Sequence, residues 1–193
     1  MIKFIFSLVA VIFLLLPASP AFAEINILNP ALKGTCIVIV GDAAIRTPDF
    51  FKSLDDTFNA EAKSKKVISG TEIQSLYQTY WLDKGYLEEQ KLTKQDLNDF
   101  VKYSGYDKVL FLIVNSPVME KTKQGSGGWG AWIQTERTRA SISVKVFLAN
   151  ETSIIKAADV AKEDDSVTSE LRAKRGAFEK CIKEIQGVIG SLI

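Results

Sequence analysis

Hydrophobic positions along this chain change rhythm several times, and each change marks an element. The run CIVIVGD, beginning at Cys36, is apolar and β-branched without alternation and stops at Gly41, which predicts a strand buried on both faces. Thr47, Pro48 and Asp49 then supply an N-cap, a proline at the first helical position and an acid in the first turn. Phe50, Leu54 and Phe58 recur every fourth residue, so a helix is expected from about 48 to 63. KKVISG reads as a brief second strand ended by Gly70. Thr71 and Gln74 form a capping box for a second helix, whose apolar face is Ile73, Leu76, Tyr77, Tyr80 and Trp81 and whose stop is Gly85. Thr93 and Asp96 cap a third helix, Leu92 and Leu97 staple its entry, and Gly105 closes it.

The stretch KVLFLIV, 108–114, is again apolar on both faces, and Asn115, Ser116 and Pro117 end it. A glycine-rich loop is expected up to residue 132. In TERTRASISVKVFLAN the period is two. Ala140, Ile142, Val144, Val146 and Leu148 share one face, while Arg137, Arg139, Ser141, Ser143 and Lys145 share the other, so this strand has one wet face. A turn at Asn150-Glu151-Thr152 leads to a shorter strand, SIIKAADVA. KEDDS then reads as the acidic start of a last helix, capped by Ser166 and apolar along Leu171, Phe178, Cys181, Ile182, Ile185 and Ile189. The order is β-α-β-α-α-β-β-β-α. Right-handed crossovers followed by hairpins predict a single α/β domain, residues 24–193, with a mixed sheet of about five strands in the order 2-1-3-4-5.

The first 23 residues differ in kind from the rest. One lysine, an apolar run from Phe4 to Leu16, prolines at 17 and 20 and the triplet Ala21-Phe22-Ala23 make a Sec-type signal peptide, residues 1–23, with cleavage expected after Ala23. The residue after the cut is Glu24, not the cysteine of a lipoprotein, and the apolar run is short for a membrane span. The exported product is thus expected in the periplasm or outside the cell, with no span after cleavage. Cleavage removes one of 24 basic residues and none of the 23 acidic ones, which leaves a neutral chain without the footprint of a nucleic-acid or anionic-membrane binder. Oligomers are compatible with this composition. Export also permits a disulfide between Cys36 and Cys181. The alternative is two buried thiols behaving as small hydrophobes.

Charge and composition leave few routes to catalysis. With no histidine in the chain, Ser-His-Asp and Cys-His systems are excluded, and a metal site would need cysteine and carboxylate alone, so no metal is expected. Gly125, Gly127 and Gly130 have the spacing G-x-G-x-x-G, but no strand immediately precedes them and an alternating segment follows where a helix should begin. No nucleotide or other cofactor is therefore expected. Two surfaces remain. Trp129 and Trp132 in the glycine loop, with Arg137 and Arg139 beside them, are candidates for anchoring a partner, against the reading in which both tryptophans fold back over the sheet. The second lies where strand order reverses, outside the carboxyl ends of the first strand and of 108–114. That crevice is set by Gly41, Asp42, Arg46, Thr47, Asn115 and Ser116, unless these residues only turn the chain.

The element order from Cys36 to about Ile189 resembles the small periplasmic α/β domain shared by the TolB N-terminal domain, the curli secretion lipoprotein and the penicillin-binding-protein activator lipoprotein. VKYSGYDKVLFLIV and TRASISVKVF also look like stretches of exported bacterial proteins of unknown role. The chain departs from those families in lacking the lipid-bearing cysteine and in the segment SLYQTYWLDKGYLEEQ, which none of them matches. The resemblance implies an envelope accessory role carried out by binding another protein, without catalysis, and brings over no functional residue. The alternative is a small-ligand binder or hydrolase working at the crevice.

Overall fold

The structure, a computed structural model, describes residues 34–60, 67–85, 92–128 and 131–193, the side chains of 124–128 and 131–135 excepted. At its centre β1 (Thr35–Gly41) and β3 (Lys108–Val114) run parallel, in register from Thr35↔Lys108 to Gly41↔Val114. Both are the unbroken apolar runs, and such strands require a layer on each face. On one side lie α1 (Pro48–Ala60) and α4 (Glu170–Ile189), packing Phe50, Leu54, Phe178 and Ile182 against Ile37, Ile39, Leu110 and Leu112. On the other lie α2 (Thr71–Asp83) and α3 (Lys94–Ser104), whose Tyr77, Trp81, Phe100 and Val101 meet Cys36, Val38, Val109 and Phe111. The capping box of Thr93 with Asp96 and the left-handed Gly105 bound α3 as its sequence predicts.

β2 (Val67–Ile68) is only two residues long and pairs with Thr35 and Cys36. Further along β1 a side chain takes over from the missing strand. Gln74, buried on α2, donates from Nε2 to the Ile39 carbonyl at 2.7 Å and accepts from the Ile39 N–H at 3.2 Å. Asn59 of α1 treats Val67 in the same way, with both bonds at 3.2 Å. The expected capping box of Thr71 and Gln74 is therefore not formed. Thr71 is already the first helical residue, Gly70 at φ 131° is the N-cap without a side-chain bond, and the amide serves the strand. Leaving buried backbone groups unpaired costs more than forgoing a surface cap.

The larger departure follows β3. Residues 118–128, expected as loop, form β4 (Val118–Gly128), paired throughout with β5 (Ala131–Ala149) from Val118↔Ser141 to Gly128↔Ala131. β5 also receives β3 on the same side and β6 (Ile154–Ser166) on the other, giving the order β2-β1-β3-β5 with β4 and β6 on opposite flanks of β5. The expected order 2-1-3-4-5 is thus found, with one strand added in line with β3. Lysine, glycine and serine give β4 little intrinsic strand preference, and cross-strand pairing holds it instead.

β6 also runs further than its sequence predicts. Glu163, Asp164 and Asp165 belong to it, not to the first turn of α4, and the α4 N-cap is Ser169, which accepts from the Arg172 N–H at 3.1 Å. Ser166 instead holds the intervening turn, accepting from the Thr168 N–H at 3.1 Å. Leu171 is 58% exposed and so leaves the apolar stripe it was assigned to. The cysteines are free and buried, Cys36 packed toward α2 and α3 and Cys181 toward α1 and the sheet's other face. The sheet stands between them, so the bridge gives way to the reading of two buried thiols. Burial pushes the Cys181 thiol up to about 11 and raises that of Cys36 further.

Candidate functional site

β3 and β4 form one interrupted strand along β5. Val114 pairs with Val144 and Val118 with Ser141, so the chain advances four positions while its partner advances three, and the extra residue lies within Asn115-Ser116-Pro117. A proline fits at such an irregularity, where a ladder N–H is not needed. Asn115 still donates its backbone N–H to the Ser143 carbonyl at 3.0 Å, and its Nδ2 lies 3.4 Å from Ser143 Oγ. The shift puts Val118 on the wet face, opposite Ser141.

α2 and α3 cover that face over β1, β3 and the Phe147–Ala149 end of β5. Beyond them its residues are small or charged, and Asn115, Ser116, Val118, Ser141, Ser143 and Ala161 line a depression of about 530 Å³. Val118 is 60% exposed there. Toward the hairpin the charges sort by strand. Arg137 and Arg139 stand on β5, while Glu163 and Asp165 stand on β6, with Arg137 to Asp165 at 3.0 Å and Arg139 to Glu163 at 3.8 Å. Ser141 Oγ donates to Glu163 at 3.1 Å. Both arginines thus face solvent as the β5 alternation predicts, yet each is already paired. The acids that pair them lie in KEDDS, whose composition reads as the start of a helix. The period-two run Ala161, Glu163, Asp165 is the signal that would have placed them.

The hairpin outruns its neighbours. The β6 ladder ends at Thr138↔Ser166, whereas β4 and β5 stay paired from Thr122↔Arg137 out to Gly128↔Ala131. At its base Lys121 reaches Glu170 of α4 at 2.8 Å, which raises the lysine pKa and lowers that of the carboxyl through their hydrogen bond. Trp129 and Gly130 lie outside the described residues, as does the Trp132 side chain, while the Trp132 backbone pairs with Gly127. Gly125 and Gly127 sit within β4, and the next element is β5. Gly125 and Gly127 therefore open no helix, and their backbone N–H groups belong to a strand.

At the reversal of strand order, Asp42 and Asn115 directly follow the paired residues Gly41 and Val114. Asp42 caps the 3-10 turn Ala43–Ile45, accepting from the Ala44 N–H at 2.8 Å, and Arg46 donates to the Gly41 carbonyl. The Thr47 carbonyl accepts from Phe50 and Phe51 at the head of α1. Each is engaged in turning the chain. Gly41 is required here, because at φ 108° a Cβ would fall 2.1 Å from the Val114 carbonyl oxygen. Among the described residues no helix is long and apolar enough to cross a membrane.

No family model matches the sequence, and no curated protein matches it either. Among solved structures the fold is similar to that of the lipoprotein GNA1162 from Neisseria meningitidis, with 11% identity over 82% of this chain and 97% of that one and a TM-score of 0.42. It is also similar to protein CT253 from Chlamydia trachomatis, with 8% identity over 82% of this chain and 96% of that one and a TM-score of 0.41.

Proposed function

We propose that this chain is exported, loses its leader after Ala23, and serves the cell envelope as a non-catalytic accessory that binds another protein, in the manner of the TolB-type periplasmic domain its element order resembles. The contact surface in this reading is the 118–141 hairpin, with Trp129 and Trp132 at its tip and Arg137 and Arg139 on its wet face. One observation carries the reading: the β4–β5 ribbon continues as two strands alone beyond the end of β6. A ribbon of that kind is marginal in water and gains most from a surface laid against it. Two paired arginines on its face add orientation more than affinity.

The test is cross-linking in the envelope fraction with the tagged protein. A discrete partner should be captured and then lost when Trp129→Ala and Trp132→Ala are combined, with the melting temperature nearly unchanged. A large fall in melting temperature would instead make the tryptophans part of the fold and remove the hairpin tip as a contact site.

The second reading is a small-ligand site of Asn115 and Ser116 with Asp42, Arg46 and Thr47. The depression favours its Asn115 and Ser116 half, since about 530 Å³ lies within the range of small-molecule pockets, while Asp42, Arg46 and Thr47 are not among the residues that line it. Retained capture by an Asn115→Ala, Ser116→Ala variant is expected if the first reading holds. Loss of capture in that variant with the tryptophan variant intact favours the second.

A further inference from the structure

The two margins of this sheet are finished differently. On the β2 side, the amides of Asn59 and Gln74 occupy the backbone groups of Val67 and Ile39. On the other side stands β6, a 13-residue strand without glycine or proline. Asn115 donates to the Ser143 carbonyl, so the odd residues of β5 turn their backbone groups toward β3 and β4, and the even ones toward β6. Even β5 residues pair with even β6 residues, as in Val144↔Val160. The N–H and C=O groups of Ala157, Asp159, Ala161, Glu163 and Asp165 therefore point outward. Lys180 agrees with this, reaching the Glu163 carbonyl at 3.0 Å. Among the described residues no strand pairs with this edge.

We propose that β6 pairs with β6 of a second copy, antiparallel, about a two-fold axis at Val160, joining the two sheets into one. Charge complementarity supports this pairing. Val160 is the midpoint of Ile154–Ser166, so this register overlaps the whole strand. It sets Lys156 of each copy opposite Asp164 of the other, a carboxylate that Lys180 of its own chain already pairs on one side, and leaves Asp159, Lys162 and Glu163 opposite Ala161, Ala158 and Ala157. Moving the axis to 159 sets Asp159 against itself and Lys156 against Lys162. Moving it to 161 sets Asp159 against Glu163. Like charges directly opposed are unfavourable, so one register is selected. In that register the outward groups of Asp159 and Ala161 form the central hydrogen-bonded pairs.

Sedimentation equilibrium of the purified exported protein tests this independently of the hairpin reading. A dimer is expected that weakens as salt is raised. Lys156→Glu should raise its Kd about tenfold or more. Ala161→Pro removes an outward N–H without touching the β5 ladder and should give a monomer with an unchanged circular dichroism spectrum. Amide exchange at Ala157, Asp159 and Ala161 should slow as protein concentration rises, and this decides the matter even if the proline variant folds poorly. A monomer at every concentration overturns the proposal. So does a dimer indifferent to Lys156→Glu whose Ala157, Asp159 and Ala161 amides exchange freely.

Discussion

At the scale of single residues, the side chains that matter most are those replacing a missing piece of backbone. Gln74→Leu leaves the Ile39 N–H and C=O buried without partners, and should cost about 2–4 kcal/mol in urea unfolding. Gly41→Ala meets both a positive φ and the Val114 carbonyl, and is expected to lose about 2 kcal/mol or more by the same measurement. The cysteines give a pH signature. Cys181 titrates at about 11 in the fold against an ordinary 9.0, so between those values the unfolded chain releases its proton first and stability falls as pH rises. Below about pH 9 the contribution is complete. Urea midpoints across that alkaline window should drop for the native protein and drop less for Cys181→Ala. Cys36 was readable as a core residue, because CIVIV admits no wet face. That Gln74 turns inward was not, since Thr-x-x-Gln is equally good as a cap and only the two-residue length of β2 creates the need it fills.

At the scale of elements, alternation was the reliable guide and composition the unreliable one. β5 could be read face by face, because buried Ala140, Ile142, Val144, Val146 and Leu148 impose a period of two. β4 could not, because nothing in MEKTKQGSGG buries an apolar face, and the strand exists through its eleven pairs with β5. The surface around Val118 was hidden with it, while the exposed face of Arg137 and Arg139 was legible and the acids of β6 beside it were not. The extra residue in Asn115-Ser116-Pro117 makes four positions face three. Deleting Ser116 leaves three positions facing three, so it should straighten the strand while Val118 stays opposite Ser141 and Lys121 stays beside Glu170. Proteolysis is the check: the deletion variant should be cut within 118–128 no faster than the native chain, and much faster cutting would show that the extra residue is needed to hold the arm. Ion pairs on this arm are exposed and carry little stability, so Arg137→Ala with Arg139→Ala should shift the unfolding free energy by less than about 1 kcal/mol.

At the scale of the whole molecule, the architecture followed from order alone. Two unbroken apolar strands demand cover on both sides, helices lie between them in the chain, and the later strands are close enough to meet as hairpins. That logic placed every layer and still missed how the sheet ends, which depends on single amides at one margin and on the length of β6 at the other. Export is checked by intact mass: the secreted protein should begin at Glu24 and carry no lipid. The parallel pairing of β1 with β3 also governs the order of events during folding. Strands β3 to β6 are joined one to the next and can zip locally, but Thr35 finds its β3 partner only 73 residues later, at Lys108. Loop closure over that span is slow. A chain emerging from its amino end thus holds its stickiest segment, CIVIV, unpaired the longest. Refolding should be limited by the docking of β1 onto an already assembled β3–β6 sheet, and aggregation should compete at that step, rising with protein concentration while the hairpins are already formed.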